Sequence, residues 1–290
     1  QNHLFRPSGV SIYLTNACTK GCLHCVTRAI STPSKKELGI TDWKMILQKL
    51  RKEGVITLTI TGGEPLLKEG LFDLLSFADA LKFSCSLLTD YDGLEKKHLN
   101  LLRHLKYFSG IQVSLDGAQA KTHDFLRGPG SFSRAIKRLI LLKNSGVPYT
   151  ISTTVHKKNI AELKDISKIY HQFGATSLYL NPLAPFGRGE NIKEYVLSDQ
   201  ELRELAQTYV HLIQSEGINP GNEYWQMIAS ETELDASFHP LKETPDAISL
   251  GTFNVAINAF GICYLDSKMT ALNMLPLGNI LKTEFSEILN

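Results

Sequence analysis

The sequence predicts an α/β fold, a partial (β/α)6 TIM-like barrel followed by a small C-terminal module. Apolar, β-rich runs alternate with segments of helical periodicity through residues 10–181. The alternation occurs six times, which predicts a parallel sheet with helices outside it and an open side wide enough for a bulky substrate. After residue 181, proline and glycine become frequent and the alternation ends.

Six short strands are predicted, at 10–15, 57–61, 84–89, 111–115, 149–155 and 177–181. Thr41 is a candidate N-cap for the first helix, and Asn159 with Glu162 forms a candidate capping box for the helix after the fifth strand. Helical periodicity marks the segments between, at 71–81, at 94–105 and from 132 to a stop at Gly146. Beyond the sixth strand we expect a helix over 197–216 and a hairpin over 253–264.

Composition narrows the class of protein. Hydrophobic residues make up 43% and charged residues 21% of the chain, which predicts a sizeable packed core. The net charge is +2 with only small basic clusters, so we expect no nucleic-acid partner. We expect neither a membrane span nor a signal peptide, because no run of 18 apolar residues occurs and residues 1–9 lack an apolar region. These features predict a cytoplasmic protein.

Three of the five cysteines lie close together in a C-x3-C-x2-C motif directly after the first predicted strand. Tight spacing and an odd count favour a metal site in a reducing compartment over a disulfide framework. Cys18, Cys22 and Cys25 can bind three irons of a [4Fe–4S] cube and leave the fourth iron open for a ligand. The alternative is a zinc site that adds His24 or another histidine.

Three motifs at the ends of predicted strands resemble the radical S-adenosylmethionine (SAM) superfamily. They are Cys18–x3–Cys22–x2–Cys25 after the first strand, Gly62-Gly63-Glu64-Pro65 after the second and Ser114-Leu115-Asp116-Gly117 after the fourth. The resemblance covers about 15–181. It implies that SAM chelates the open iron through its amino and carboxylate groups. One electron from the cluster then breaks the sulfur–C5′ bond, and the 5′-deoxyadenosyl radical abstracts hydrogen from a substrate.

The resemblance also implies which residues bind SAM. Gly62, Gly63, Glu64 and Pro65 would receive the methionine amino group, although a tight turn with Pro65 starting a helix explains the same residues. Thr89 precedes Asp90 where relatives carry Thr-Asn-Gly, so these two either contact the ribose or cap a helix.

Two further positions follow from the same resemblance. Ser114 would contact the cofactor's carboxylate or ribose, and Asp116 either assists or belongs to an ordinary turn. Arg127 lies in a His-Asp-x-x-Arg-Gly stretch shared with peptide-modifying relatives, where a guanidinium can bind a carboxylate; a solvated surface arginine is the alternative. The sequence does not identify a catalytic acid or base.

Residues 251–290 resemble a degenerate SPASM/twitch module, which normally holds auxiliary clusters. Gly251, Gly261 and Leu277-Gly278-Asn279 fit the pattern, but Ser249-Leu250 and Asp266 occupy the expected cysteine positions. Cys263 is three positions early, so we expect one cluster only. Cys85 is expected to be a buried core thiol. The predicted domains are a barrel at 9–183, a connector with a helix at 184–250 and this module at 251–290.

The function implied is that of a radical SAM enzyme, an oxidoreductase or a peptide-modifying lyase or isomerase. The expected substrate is a peptide or protein, and a flavodoxin or ferredoxin would supply the electron. One alternative is a radical SAM enzyme that acts on a small molecule such as a sugar or a cofactor precursor. The other is a non-catalytic metal-binding module, which the cofactor motifs disfavour.

Overall fold

The computed structural model describes residues 7–90, 93–221, 254–266, 269–270 and 273–289. The strands are β1 Gly9–Tyr13, β2 Thr57–Thr61, β3 Ser84–Leu88, β4 Phe108–Ser114, β5 Tyr149–Val155, β6 Ser177–Pro182, β7 Asn254–Ile257, β8 Ile262–Tyr264 and β9 Gly278–Asn279. The α-helices are α1 Ile40–Lys52, α2 Leu71–Ala80, α3 Lys96–Leu102, α4 Ala120–Arg127, α5 Ser131–Lys143, α6 Leu163–Phe173, α7 Asp199–Glu216 and α8 Phe285–Ile288. Short 3-10 helices occupy Pro65–Leu67, Ile160–Glu162 and Gly187–Tyr195.

The chain forms two compact units. Of the described residues, one unit contains those up to Gly21, those of Cys25–Ile111 and those from 254 onward. The other contains Cys22–His24 and the described residues from Gln112 onward up to 221. The boundary therefore passes through the cysteine motif and through β4.

In the first unit, β1 pairs in parallel with both β2 and β7, and β2 pairs in parallel with β3. β8 and β9 continue the sheet in antiparallel fashion beyond β7. Helix α1 packs one apolar face into the core, at positions spaced as one helical stripe: Trp43, Ile46, Leu47 and Leu50. The α/β class with a parallel sheet is thus confirmed.

The predicted cap of α1 is wrong. Thr41 lies inside the helix, whose N-cap is Gly39. The side chain of Asp42 accepts a hydrogen bond from the Gly39 amide at 2.9 Å, so a carboxylate in the first turn caps the helix and the threonine hydroxyl is not needed.

In the second unit, β5 and β6 pair in parallel, and β5 alternates between buried and half-buried residues. Helix α4 was not predicted. Its buried positions include Thr122 and His123 beside Leu126, so its inner face lacks the apolar period that marks a helix in sequence.

The predicted capping box of Asn159 and Glu162 is also wrong. The Asn159 amide donates to the backbone oxygens of Thr154 and Asp116, at 2.8 and 2.9 Å. Glu162 accepts from the Thr122 hydroxyl at 2.8 Å. Tertiary contacts have recruited both side chains away from the helix start.

The predicted hairpin is present as β7 and β8, with Asn258 and Gly261 in its turn. Cys85 and Cys263 are buried, and burial raises the pKa of each thiol to about 12, which confirms Cys85 as a core residue. Residues 222–250 of the connector and Gly251 of the module lie outside the described residues, and they include Ser249 and Leu250 of the predicted motif. The domain boundaries stay a prediction. No helix in the described ranges combines the length and the hydropathy of a membrane span.

Candidate active site

The base of the cysteine loop is closed by backbone hydrogen bonds in the first unit. The Cys18 amide donates to the Ile30 oxygen at 2.7 Å, and the Ile30 amide donates to the Asn16 oxygen at 2.9 Å. The segment that follows β1 is therefore joined to Ile30 at the base of the loop, and Cys18 directly follows that base.

The glycine pair after β2 lies directly against this base. The Gly63 amide donates to the Thr15 oxygen at 2.6 Å, and the Glu64 amide donates to the Ala17 oxygen at 2.7 Å. A Cβ atom on Gly62 would lie 2.6 Å from the Thr15 oxygen, and one on Gly63 would lie 2.2 Å from the Ala17 oxygen. Only glycine permits this approach, so the motif joins the two strand ends backbone to backbone.

Glu64 is a buried carboxylate that accepts three hydrogen bonds. The Leu66 amide and the Thr89 hydroxyl donate to Oε1, at 3.0 and 2.6 Å, and the Asp90 amide donates to Oε2 at 3.0 Å. Burial raises its pKa above the ordinary value despite these bonds. No cation among the described residues pairs with Glu64, so the carboxylate is positioned but not neutralised.

The neighbours of Glu64 settle one alternative from the sequence. Thr89 and Asp90 do not cap a helix, because α3 starts at Lys96 with Glu95 as its N-cap. Thr89 instead orients Glu64, and the Asp90 carboxylate lies 3.5 Å from the Lys20 ammonium. The predicted helix start at Pro65 is confirmed as a 3-10 helix in which the Glu64 side chain caps the Leu66 amide.

All three motif cysteines are half-buried, and none forms a disulfide. In the first unit, burial raises the pKa of Cys18, and the negative charges of Glu64 and Cys25 raise it further against a hydrogen bond from the Lys20 amide. A thiolate there calls for compensation by a cation, which iron provides. Among the described residues, no three His, Cys, Asp or Glu side chains lie close enough together to hold a single metal ion.

The middle of the motif, Cys22–His24, belongs to the second unit. The Leu23 amide donates to the Leu126 oxygen at 2.8 Å, and Nε of Arg188 donates to the Cys22 oxygen at 2.9 Å. Nε2 of His24, the histidine of the zinc alternative, lies 3.2 Å from an Arg127 guanidinium nitrogen.

Asp116 is a fully buried carboxylate that pairs with Arg127. Its Oδ2 accepts from Nε of Arg127 at 2.5 Å, and its Oδ1 accepts from the Thr154 amide at 2.7 Å. Burial raises the pKa of Asp116, but Arg127, His24, His123 and the Thr154 amide outweigh that effect, and the pKa is lowered.

The sequence left two alternatives open, a solvated surface position for Arg127 and an ordinary turn for Asp116, and the structure excludes both. Arg127 is not a solvated surface residue, because its side chain is only 10% exposed and is ion-paired. Asp116 is not an ordinary turn residue either, because its carboxylate is enclosed. The Asp116 amide donates to Nδ1 of His123 at 3.0 Å, a contact that sequence reasoning missed. The His-x3-Arg spacing on one helix was the available signal, since positions i and i+4 share a face.

The remaining predicted residue, Ser114, ends β4 and is half-buried, and its hydroxyl makes no hydrogen bond to any described residue. It therefore remains available to a ligand. The donor set fits an iron–sulfur cluster with SAM in two respects: the motif cysteines form no disulfide, and the buried Glu64 near Cys18 pairs with no cation among the described residues.

The sequence profile of the radical SAM superfamily matches residues 12–169, more than half of the 290 residues. This chain is a member of the radical SAM superfamily. The match includes the cysteine motif, the glycine pair, Glu64 and Asp116. It confirms the resemblance drawn from those motifs.

Similar proteins fall into two groups by function. The AdoMet-dependent heme synthase of Oleidesulfovibrio alaskensis is 25% identical over 95% of this chain and 72% of its own length. The mycofactocin maturase MftC of Mycolicibacterium smegmatis is 31% identical over 62% of this chain and 45% of its own. Among solved structures, SuiB of Streptococcus suis bound to SAM superposes with a TM-score of 0.75 at 18% identity, over 97% of this chain and 65% of SuiB.

The SuiB likeness confirms the partial-barrel fold. SuiB has also been solved with the precursor peptide SuiA. The chain spans about half the length of the maturase and about two thirds that of SuiB.

Proposed function

We propose that this chain is an enzyme that uses one [4Fe–4S] cluster and SAM to modify a peptide. The observation that carries the cofactor assignment is the backbone pairing of Gly63 and Glu64 with the base of the cysteine loop. This pairing sets a buried, unneutralised carboxylate beside Cys18. Cys18, Cys22 and Cys25 would hold the cluster, which supplies one electron for SAM cleavage, from a reductant such as flavodoxin or ferredoxin.

The protein residues bind and orient. Glu64, fixed by Thr89 and by two backbone amides, suits the amino group of SAM, because a carboxylate accepts hydrogen bonds from the N–H groups of an amine, which stay available when the amine's lone pair binds iron. Ser114 has its hydroxyl available for the carboxylate or ribose of SAM. Nε of Arg127 already donates to Asp116, so any contact between Arg127 and the cofactor would be made by its other N–H groups.

The cofactor assignment is tested with reductant and SAM alone. Anaerobically reconstituted protein should bind about four irons per chain and slowly release 5′-deoxyadenosine and methionine. Alanine at Cys18, Cys22 or Cys25 should abolish both, whereas Cys85→Ala should keep both, because that thiol is enclosed in the core. Zinc without sulfide in the purified protein would contradict the assignment.

The peptide substrate is supported by the similarity to a maturase. A second candidate, a small-molecule reaction, is favoured by the heme synthase that aligns over 95% of the chain. Mass spectrometry of short peptides encoded beside the gene, incubated with enzyme, SAM and reductant, separates the two. A SAM-dependent mass change supports the peptide. In a parallel incubation a heme precursor replaces the peptides, and its SAM-dependent conversion without any peptide change supports the second candidate.

A further inference from the structure

A partly open cavity of about 340 Å³ lies within the first unit, beside the cysteine loop. Its walls come from the end of β1, the loop after it, the β7–β8 turn and the segment after β8. Thr27 lines it, and the hydroxyl of Thr27 lies 3.4 Å from the Cys25 sulfur. The volume is at the small end of the range for ligand pockets, about 300–1,000 Å³.

The wall formed by the hairpin is held from behind by a buried tyrosine. The Tyr264 hydroxyl donates to Oδ1 of Asn273 at 2.5 Å and accepts from Nδ2 of Asn258 at 3.4 Å. Oδ1 of Asn258 accepts the amide of Phe260 at 3.0 Å and so fixes the turn that presents the Phe260 ring. These side chains are therefore preorganised.

The side-chain amide of Asn16 also lines the cavity. The backbone of Asn16 is fully engaged: its amide donates to Glu37 at 2.9 Å, and its oxygen accepts from Ile30 at 2.9 Å. The half-buried Asn16 side chain lines the cavity and makes no hydrogen bond to any described residue. A carboxamide has two donor hydrogens and an acceptor oxygen, so it pairs with another amide in both directions.

Every described residue that lines the cavity is uncharged. A charged ligand group would lose hydration there without gaining an ion pair, whereas an amide would find matching donors and acceptors. We propose that this cavity binds an uncharged, amide-bearing part of the peptide substrate, with Asn16 as the pairing group and Phe260 as the apolar contact. The identification of the ligand as a peptide rests on the proposed function, whereas the preference of the cavity for a neutral amide does not.

The test uses N-acetyl-L-phenylalaninamide as a neutral probe and N-acetyl-L-phenylalanine as its anionic counterpart. Ligand-detected NMR titration of the reconstituted protein should show saturable binding of the amide and at least about tenfold weaker binding of the acid. Asn16→Leu should weaken binding of the amide at least about fivefold, the loss expected for one neutral hydrogen bond. Asn100→Leu, at an exposed asparagine of α3 in the same unit, is the matched control and should change nothing.

Phe260→Leu provides a second variant, and thermal unfolding identifies any variant that has failed to fold. The proposal would be overturned if the amide probe bound to wild type without saturation. It would also be overturned if the probe bound to the Asn16 and Phe260 variants as tightly as to wild type. Displacement of the probe by 5′-deoxyadenosine would also overturn it, by assigning the cavity to the nucleoside. If the enzyme modifies a peptide but does not bind the probe, the cavity proposal alone is refuted. If it binds the probe but does not cleave SAM, the proposed function alone is refuted.

Discussion

Glu64 and Asp116 are both buried carboxylates that closely follow strands of a parallel sheet, and both accept backbone amides. Their charge environments are opposite. Asp116 has Arg127 at 2.5 Å and a lowered pKa, whereas Glu64 has no cation among the described residues and a raised pKa. The difference suggests separate roles: Asp116 has its cation within the protein, whereas we propose that Glu64 accepts hydrogen bonds from a group that a ligand supplies.

The largest effect is expected from Asp116→Asn. This change leaves the nearly buried Arg127 without its carboxylate, so the free energy of unfolding should fall by about 3–5 kcal/mol. Urea denaturation of iron-free protein measures it. Asp165→Asn is the control, because its ion pair with Lys168 is exposed, and it should cost less than about 1 kcal/mol. If the two variants lost similar amounts of unfolding free energy, Asp116 would not have the structural role described here.

Glu64→Gln should act on the ligand instead. We expect SAM affinity to fall tenfold to a hundredfold with iron content unchanged, because a charge-assisted hydrogen bond contributes about 1.5–3 kcal/mol. The unfolding free energy should not fall by a comparable amount, since burial already disfavours the ionised carboxylate. Calorimetric titration of iron-matched samples measures the affinity, with exposed Glu69→Gln as the control. If Glu64→Gln bound SAM as tightly as wild type, Glu64 would not be part of the cofactor site.

The two carboxylates should also give opposite pH dependence. The lowered pKa of Asp116 stabilises the fold above the unfolded-state pKa, and this contribution is lost as pH falls through the folded-state pKa. The raised pKa of Glu64 does the reverse: stability is lost as pH rises from the unfolded-state pKa, about 4.5, toward the folded-state value. Unfolding measured from pH 3 to 7 for each neutral variant against wild type should give slopes of opposite sign. Slopes of the same sign would contradict the contrast.

The smallest effect is expected from Ser114→Ala. Its hydroxyl bonds to no described residue, so the unfolding free energy should stay within about 0.5 kcal/mol of wild type. If it contacts SAM, affinity should fall about fivefold, the equivalent of one neutral hydrogen bond at about 1 kcal/mol. Equal affinities for the variant and wild type would remove Ser114 from the cofactor site.

The sequence predicted the strands and the motif positions because both depend on local pattern: apolar runs for the strands, and fixed spacing for Cys18, Cys22 and Cys25. It placed glycines 62 and 63 at the SAM site or in a tight turn, and their role toward SAM stays a prediction. The structure shows that the glycines contact the Thr15 and Ala17 oxygens, a partner that lies more than 40 residues away in sequence.

The misses share one physical cause, the recruitment of polar side chains by long-range contacts. Asn159 has the form of a helix cap but binds the backbone of Asp116, 43 residues away. Helix α4 escaped prediction because its buried face carries polar residues. Arg127 was ambiguous because spacing along the chain does not show which carboxylate lies within reach of a guanidinium.

The central claim, that Glu64 receives the amino group of SAM, is tested most directly by a thermodynamic cycle that combines one protein variant with one ligand analogue. Wild type and Glu64→Gln, each reconstituted with iron, are titrated with SAM and with the analogue that lacks the α-amino group. If Glu64 receives that group, the preference for SAM over the analogue should be at least about tenfold smaller in Glu64→Gln than in wild type. An unchanged preference would show that the amino group binds elsewhere and would contradict the account.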